Sequence, residues 1–143
     1  MHIVDAREQL WVQQRLERAR GKPQFDAGLK QRILERLIAA EGLEKYLHRR
    51  YPGTKRFGLE GGESLIPMLH ELLQRLGTHG IRESVIAMAH RGRLNVLVNV
   101  LGKNPGELFD EFDGRVQSES GSGDVKYHQG FSSNMMTPGG EMH

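Results

Sequence analysis

Along most of the chain, apolar residues recur at three- and four-residue spacing, which predicts helices rather than strands. Residues 6–20 form the first such stretch, with Leu10, Trp11 and Leu16 on an uneven apolar side and Gly21 and Pro23 as its stop. Asp26 is placed to cap a second helix, in which Leu29, Ile33, Leu37 and Ile38 repeat at helical spacing. Gly42 is expected to bend it before Leu43, Tyr46 and Leu47 continue a similar face, and Pro52-Gly53 closes it. A third helix, from about Glu63 to Leu76, carries Leu65, Ile66, Leu69, Leu72, Leu73 and Leu76. So broad a stripe predicts burial along one side.

The pattern then changes. Residues 84–89, Ser-Val-Ile-Ala-Met-Ala, are short and nearly all apolar, and predict one buried strand. Residues 94–101 return to helical spacing. Asn104-Pro105-Gly106-Glu107 fits a capping box that opens a helix ending near Asp113. Gly114 to Asp124 is polar and rich in Gly and Ser, which predicts a mobile loop. One strand cannot make a sheet, because its backbone and faces need partners. The expectation is therefore a piece of a larger α/β protein: a helical lead-in followed by the start of a parallel-sheet domain.

Composition narrows the function classes. At 143 residues there is room for one ordinary domain. Twenty Lys and Arg against 18 Asp and Glu give a net charge of +2, too weak a field for a nucleic-acid binder, and the two signs alternate along the helices. Cysteine is absent, which excludes disulfides, thiolate metal sites and a catalytic thiol. No apolar run approaches the roughly 18 residues of a membrane span. The opening Met1-His2-Ile3-Val4-Asp5 lacks the features of a signal peptide, so an intracellular location is expected.

Two segments concentrate chemistry. His90 follows the predicted strand directly, and Arg91-Gly92-Arg93 leads into the next helix. Ligands of open α/β sheets bind beyond the carboxyl ends of the strands, so this order puts an imidazole and two guanidiniums where a ligand is expected. Arg suits phosphate through its planar fork, and a helix amino terminus adds N–H donors. The competing reading makes His90 the partner of a buried carbonyl and the arginines a solvated turn; spacing alone allows both. The second segment, Lys126-Tyr127-His128-Gln129-Gly130-Phe131-Ser132-Ser133, gathers a general acid/base, hydroxyls and aromatics on a loop. Arg56 to Gly62 ends in two glycines that permit close backbone approach, or simply a flexible helix entry. His48, His70 and His79 are taken as structural. No zinc-protease, serine-hydrolase or P-loop motif is present.

Three motifs carry a resemblance: Lys55 to Gly62 (KRFGLEGG), Met88 to Leu97 (MAHRGRLNVL) and Gly123 to Phe131 (GDVKYHQGF). In that order, over essentially the whole chain, they resemble an internal stretch of the E1 component of the 2-oxoglutarate dehydrogenase complex, a homodimeric thiamine-diphosphate-dependent enzyme. The resemblance implies a helical lead-in over 1–53 and the beginning of the first thiamine-diphosphate-binding α/β domain over 54–143. It also implies decarboxylation of 2-oxoglutarate and transfer of the succinyl group to the lipoyl group of E2, in the tricarboxylic acid cycle. By motif, His90 and His128 would line the substrate pocket, Ser132 would assist with the substrate, and Arg91 would contact the cofactor diphosphate. The family's Mg2+ and diphosphate motif is missing; Gly123-Asp124 belongs to a different motif, so the metal ligands are expected elsewhere. The implied partners are 2-oxoglutarate, E2 and a second copy, with no nucleic acid and no membrane. The implied location is the bacterial cytoplasm or the mitochondrial matrix. A sister 2-oxoacid dehydrogenase, acting for example on 2-oxoadipate, or a decarboxylase variant stands as the alternative, with a basic nucleic-acid-binding module built on His90-Arg91-Gly92-Arg93 a distant third.

Overall fold

The computed structural model describes residues 3–115 and 130–143, and its elements are those of a mixed α/β chain. Among the described residues, five helices, α1 (Ala6–Ala19), α2 (Ala27–Arg50), α3 (Leu65–Thr78), α4 (Arg93–Asn99) and α5 (Pro105–Phe112), precede a hairpin of β1 (Met135–Thr137) and β2 (Gly140–Met142). Two compact units, Met1–Gln31 and Arg32–His143, divide within α2.

In the first unit α1 is a helix held by its own ends. Asp5 accepts from the Arg7 and Glu8 amides, and Arg20 closes the far end in the left-handed conformation. None of its residues is buried; Leu10, Trp11 and Leu16 are each more than half exposed, and the Arg15 guanidinium lies over the Trp11 ring. The expected apolar side exists but covers nothing in its own unit.

The second unit has the core. From Arg32 onward α2 runs unbroken through Gly42, where a bend was expected, and buries Ala40, Leu43, Glu44 and Leu47. The main cluster joins Ala40, Leu59, Ile66, Leu73, Val96, Val100 and Met142, so α2, α3, α4 and the hairpin share one interior. Leu94 and Leu108 form a smaller cluster with Phe57, Val98 and Phe112. α3 packs so tightly on the hairpin that a Cβ at Gly77 would strike the Thr137 side chain and one at Gly139 the Gly77 carbonyl. At α5 the Asn104 side chain accepts from the Gly106 amide and Pro105 opens the helix, as the sequence predicts.

Residues 84–89 depart from expectation. Among the described residues they are not paired in a ladder, and burial alternates along them: Ser84, Ile86 and Met88 are half-buried, while Val85, Ala87 and Ala89 are exposed. The near-continuous apolar run predicted a strand covered on both faces; among the described residues the core covers only one. Among the described residues, pairing begins only at the start. His143 donates to the Arg82 carbonyl at 2.9 Å and accepts from the Ser84 amide at 2.7 Å. One residue bonded through both its groups to the neighbours of a third is the parallel pattern. The hairpin itself is antiparallel, with Met135 opposite Met142 and Thr137 opposite Gly140. It was not expected from the sequence, because three-residue strands carry too little alternation to register. The Gly/Ser segment read as mobile lies largely outside the described residues.

Candidate functional site

The His-Arg-Gly-Arg turn is built on the loop 56–60, and four contacts join them. The His90 ring packs on the Phe57 ring, centroids 4.2 Å apart at 45°. The Gly92 amide donates to the Phe57 carbonyl at 2.6 Å. The Leu59 side chain fills the space a Cβ on Gly92 would need, and Gly92 has φ 72°, so only glycine allows both the turn and the packing. Finally the Arg91 guanidinium donates to the Glu60 carbonyl at 2.8 Å. Phe57 itself holds φ 45°, a conformation costly for an aromatic residue and kept where surroundings over-determine it.

The loop is fastened in turn by charge. Arg56 donates to Glu60 at 2.9 Å, to Glu44 at 3.5 Å and to Nδ1 of His48 at 3.1 Å. A guanidinium only donates, so that nitrogen accepts and the His48 proton sits on Nε2. The Glu60 carboxyl is held below the usual carboxylate range first by its own backbone N–H, which burial opposes and the Arg56 and Arg91 guanidiniums reinforce. With Glu60 engaged by Arg56, Arg91 forms no ion pair among the described residues and stays exposed. His90 is likewise exposed, and its imidazole nitrogens bond no protein group among the described residues. An open imidazole and an open guanidinium on a rigid platform can donate to an anion. The expected contribution from the helix amino terminus is reduced: the Gly92 and Arg93 amides are already taken by the Phe57 and His90 carbonyls, and α4 is only seven residues long.

Ser132 stands at a different place. Its hydroxyl lies 2.8 Å from Nε2 of His143, whose Nδ1 is 2.7 Å from Oδ1 of Asn134. The Asn134 amide is oriented by donating to Glu141 at 2.9 Å, so His143 carries its proton on Nδ1 and accepts from Ser132. This chain borders a cleft of about 340 Å³ that also touches Ser84, Val85 and Ile86. It therefore sits at the start of the extended stretch that His90 ends, four to six residues away, or roughly 13–20 Å of extended backbone. His90 and Arg91 are brought together; Ser132 is not among them. His128 lies outside the described residues. No cluster of three His, Cys, Asp or Glu side chains fit for a metal occurs among the described residues.

Sequence reasoning missed Glu44, Asn95, Asn134 and His143. For two of these a signal existed. Glu44 interrupts the apolar face of Ala40, Leu43 and Leu47, and Asn95 interrupts Leu94, Val96 and Leu97. A polar residue inside an apolar stripe must bond something in the core. His48 and His70, expected to be structural, do have partners in Arg56 and Arg36.

A mixed α/β segment with an exposed His-Arg pair at the end of an extended stretch has donors suited to an anionic ligand. No family model matches the chain. Curated relatives do. The chain is 66% identical over 142 residues to the 2-oxoglutarate dehydrogenase E1 component of Azotobacter vinelandii. It is 55% identical over 143 residues to the protein of the same name from Cupriavidus necator, and 47% identical over 143 residues to that of Haemophilus influenzae. Each match takes in 99% or all of this chain but about 15% of the relative's length. The chain is thus homologous, from end to end, to one segment of the 2-oxoglutarate dehydrogenase E1 component.

Proposed function

We propose that this segment serves a thiamine-diphosphate-dependent E1 component that decarboxylates 2-oxoglutarate and passes the succinyl group to the lipoyl group of E2. The observation that carries the reading is the end-to-end identity of 66% to a protein of that name. In the full-length protein, a homodimer in the bacterial cytoplasm or the mitochondrial matrix working within the tricarboxylic acid cycle, residues 1–53 form the lead-in and 54–143 open the first cofactor-binding domain.

The residues present suit the diphosphate end of the cofactor. Arg91 is exposed and free of an ion pair among the described residues, and one of its N–H groups is fixed by the Glu60 carbonyl, so the fork is pre-oriented before it meets an anion. Thiamine diphosphate, once bound, supplies the electron sink for decarboxylation. Its Mg2+ takes ligands from other parts of the full-length protein. His90, braced by Phe57, donates to the substrate and stabilises negative charge as it grows on the reacting oxygen. His128 has the same role by motif. Ser132, its proton directed to His143, is available as an acceptor or, after rotation, as a donor to a substrate carboxylate.

The test uses the full-length protein. Arg91→Ala removes a charge-assisted bond of about 1.5–3 kcal/mol. It is expected to weaken thiamine diphosphate binding about ten-fold or more by titration calorimetry. His90→Ala is expected to lower kcat/KM for 2-oxoglutarate by at least about ten-fold with cofactor affinity little changed. An unaltered cofactor constant in Arg91→Ala, with normal kcat/KM in His90→Ala, would return both to structural roles.

A further inference from the structure

We infer that Glu44, a buried carboxylate on α2, is the positioning residue of the His90-Arg91 turn: it fixes the 56–60 loop and α4 against each other and thereby sets where Arg91 meets an anion. The inference rests on the functional reading of that turn.

Two segments, the 56–60 loop and α4, meet on this one side chain of α2. Oε1 of Glu44 accepts from the Leu59 amide at 3.1 Å and from Nδ2 of Asn95 at 3.0 Å, while Oε2 faces the Arg56 guanidinium at 3.5 Å. Asn95 in turn donates to the Ala40 carbonyl, one turn earlier on α2, at 2.9 Å. Glu44 is 8% exposed and Asn95 1%, so these bonds are made away from water, where an unmet partner is costly. The loop so fastened supplies every contact already described beneath the turn: the Phe57 ring and carbonyl, the Leu59 side chain and the Glu60 carbonyl. The helix so fastened begins one residue after Gly92. Glu44 therefore holds the turn from both sides, through the loop below it and through the helix that follows it.

Space supports the same conclusion. A Cβ on Gly58 would strike the carboxylates of both Glu44 and Glu60, so the loop passes over Glu44 as closely as backbone allows. A buried charge is a poor source of stability compared with an apolar residue of similar size. Its bonds to the loop and to α4 at once are what an apolar residue cannot reproduce.

The experiment is done in the full-length protein, with the dissociation constant for thiamine diphosphate measured on folded material by titration calorimetry. Glu44→Ala is expected to weaken cofactor binding about ten-fold or more, and, because the same loop braces His90, to lower kcat/KM for 2-oxoglutarate as well. Glu44→Gln keeps an oxygen for the Leu59 amide and Asn95, and is expected to restore binding to within about three-fold. In an Arg91→Ala background, Glu44→Ala should add less than about three-fold, because the group it positions is gone. A purely structural Glu44 would lower the yield of folded protein and leave the constant unchanged. Should Glu44→Ala not fold, Glu44→Asp draws the carboxylate back by one methylene and takes its place, with a loss of several-fold expected. An unchanged constant in the variant used, or losses that simply multiply with Arg91→Ala, overturns the inference while the functional reading survives. Normal binding by Arg91→Ala overturns the functional reading and the inference together.

Discussion

In α1 the side chains work inward on their own helix: Asp5 caps one end, Gln13 donates to Glu17 one turn on, and Arg15 lies over Trp11, with nothing buried. In α4 they work outward. It has half the length, a glycine in place of a capping side chain, and four successive buried residues, Leu94, Asn95, Val96 and Leu97. A seven-residue helix is far too short to persist alone. It exists because the core and Glu44 hold it. The difference shows why candidate chemistry sits beside the helix with the poorer local credentials: a group that must meet a ligand at a fixed place needs constraints from several segments, and local capping supplies only one.

The comparison breaks most readily at Gly92. Gly92→Val forces a branched side chain into the left-handed region and into the volume held by Leu59, which together cost about 3 kcal/mol or more. Hydrogen exchange in the full-length protein should show that loss in amides of 56–60 and 93–99, with 6–19 unchanged. Gly92→Ala combined with Leu59→Ala sharpens the point. The vacated space relieves the clash and leaves the backbone cost and a cavity, so the double substitution should cost less than the sum of the singles. Strict additivity would mean that Leu59 does not lie over Gly92.

Asp5→Ala makes the reverse cut. Removing a side chain that accepts two amides is expected to cost α1 about 1 kcal/mol, visible as faster exchange in its first turn. Cofactor affinity should not move. A change there comparable to that of Arg91→Ala would mean that α1 acts on the site.

The same contrast explains what was legible in the sequence. α1, α2 and α5 are announced by residues close to them in the chain: Gly21 and Pro23 follow the first, Asp26 accepts from the Leu29 amide, and Asn104-Pro105 opens the last. The His90-Arg91 pair was legible as a place, because a strand end before a helix is a general address for ligands. What fastens it was not. The distance from Glu44 to Asn95 is 51 residues along the chain, and no spacing rule spans that separation. The extended stretch 84–89 was legible as apolar, but not as covered on one face, because its cover is a property of the other segments. Ser132 was singled out by motif, yet its partner is Nε2 of His143, eleven residues on, which no motif flagged.

The smallest expected effect distinguishes the two helices by pH. Arg36 donates to the carbonyl of Asn99, the last residue of α4, at 3.2 Å and to Nε2 of His70 on α3 at 2.9 Å. That nitrogen must accept, so the neutral imidazole fits and the protonated one would set a cation against Arg36. Burial, then the Arg36 charge and a smaller one from Arg32, lowers the His70 pKa from its ordinary 6.5, with Glu71 opposing. A lowered value in the folded state means that the unfolded chain takes up the proton first as pH falls. The stabilisation is therefore full above about pH 6.5 and is lost as pH drops from there through the folded value. Exchange at the end of α4 and along the facing turn of α3 should quicken over that interval, after correction for the intrinsic rate. α1 contains no histidine and should show no such slope. His70→Gln, which offers Arg36 an amide oxygen that does not titrate, should flatten the dependence. A slope that survives that substitution would place the titrating group elsewhere.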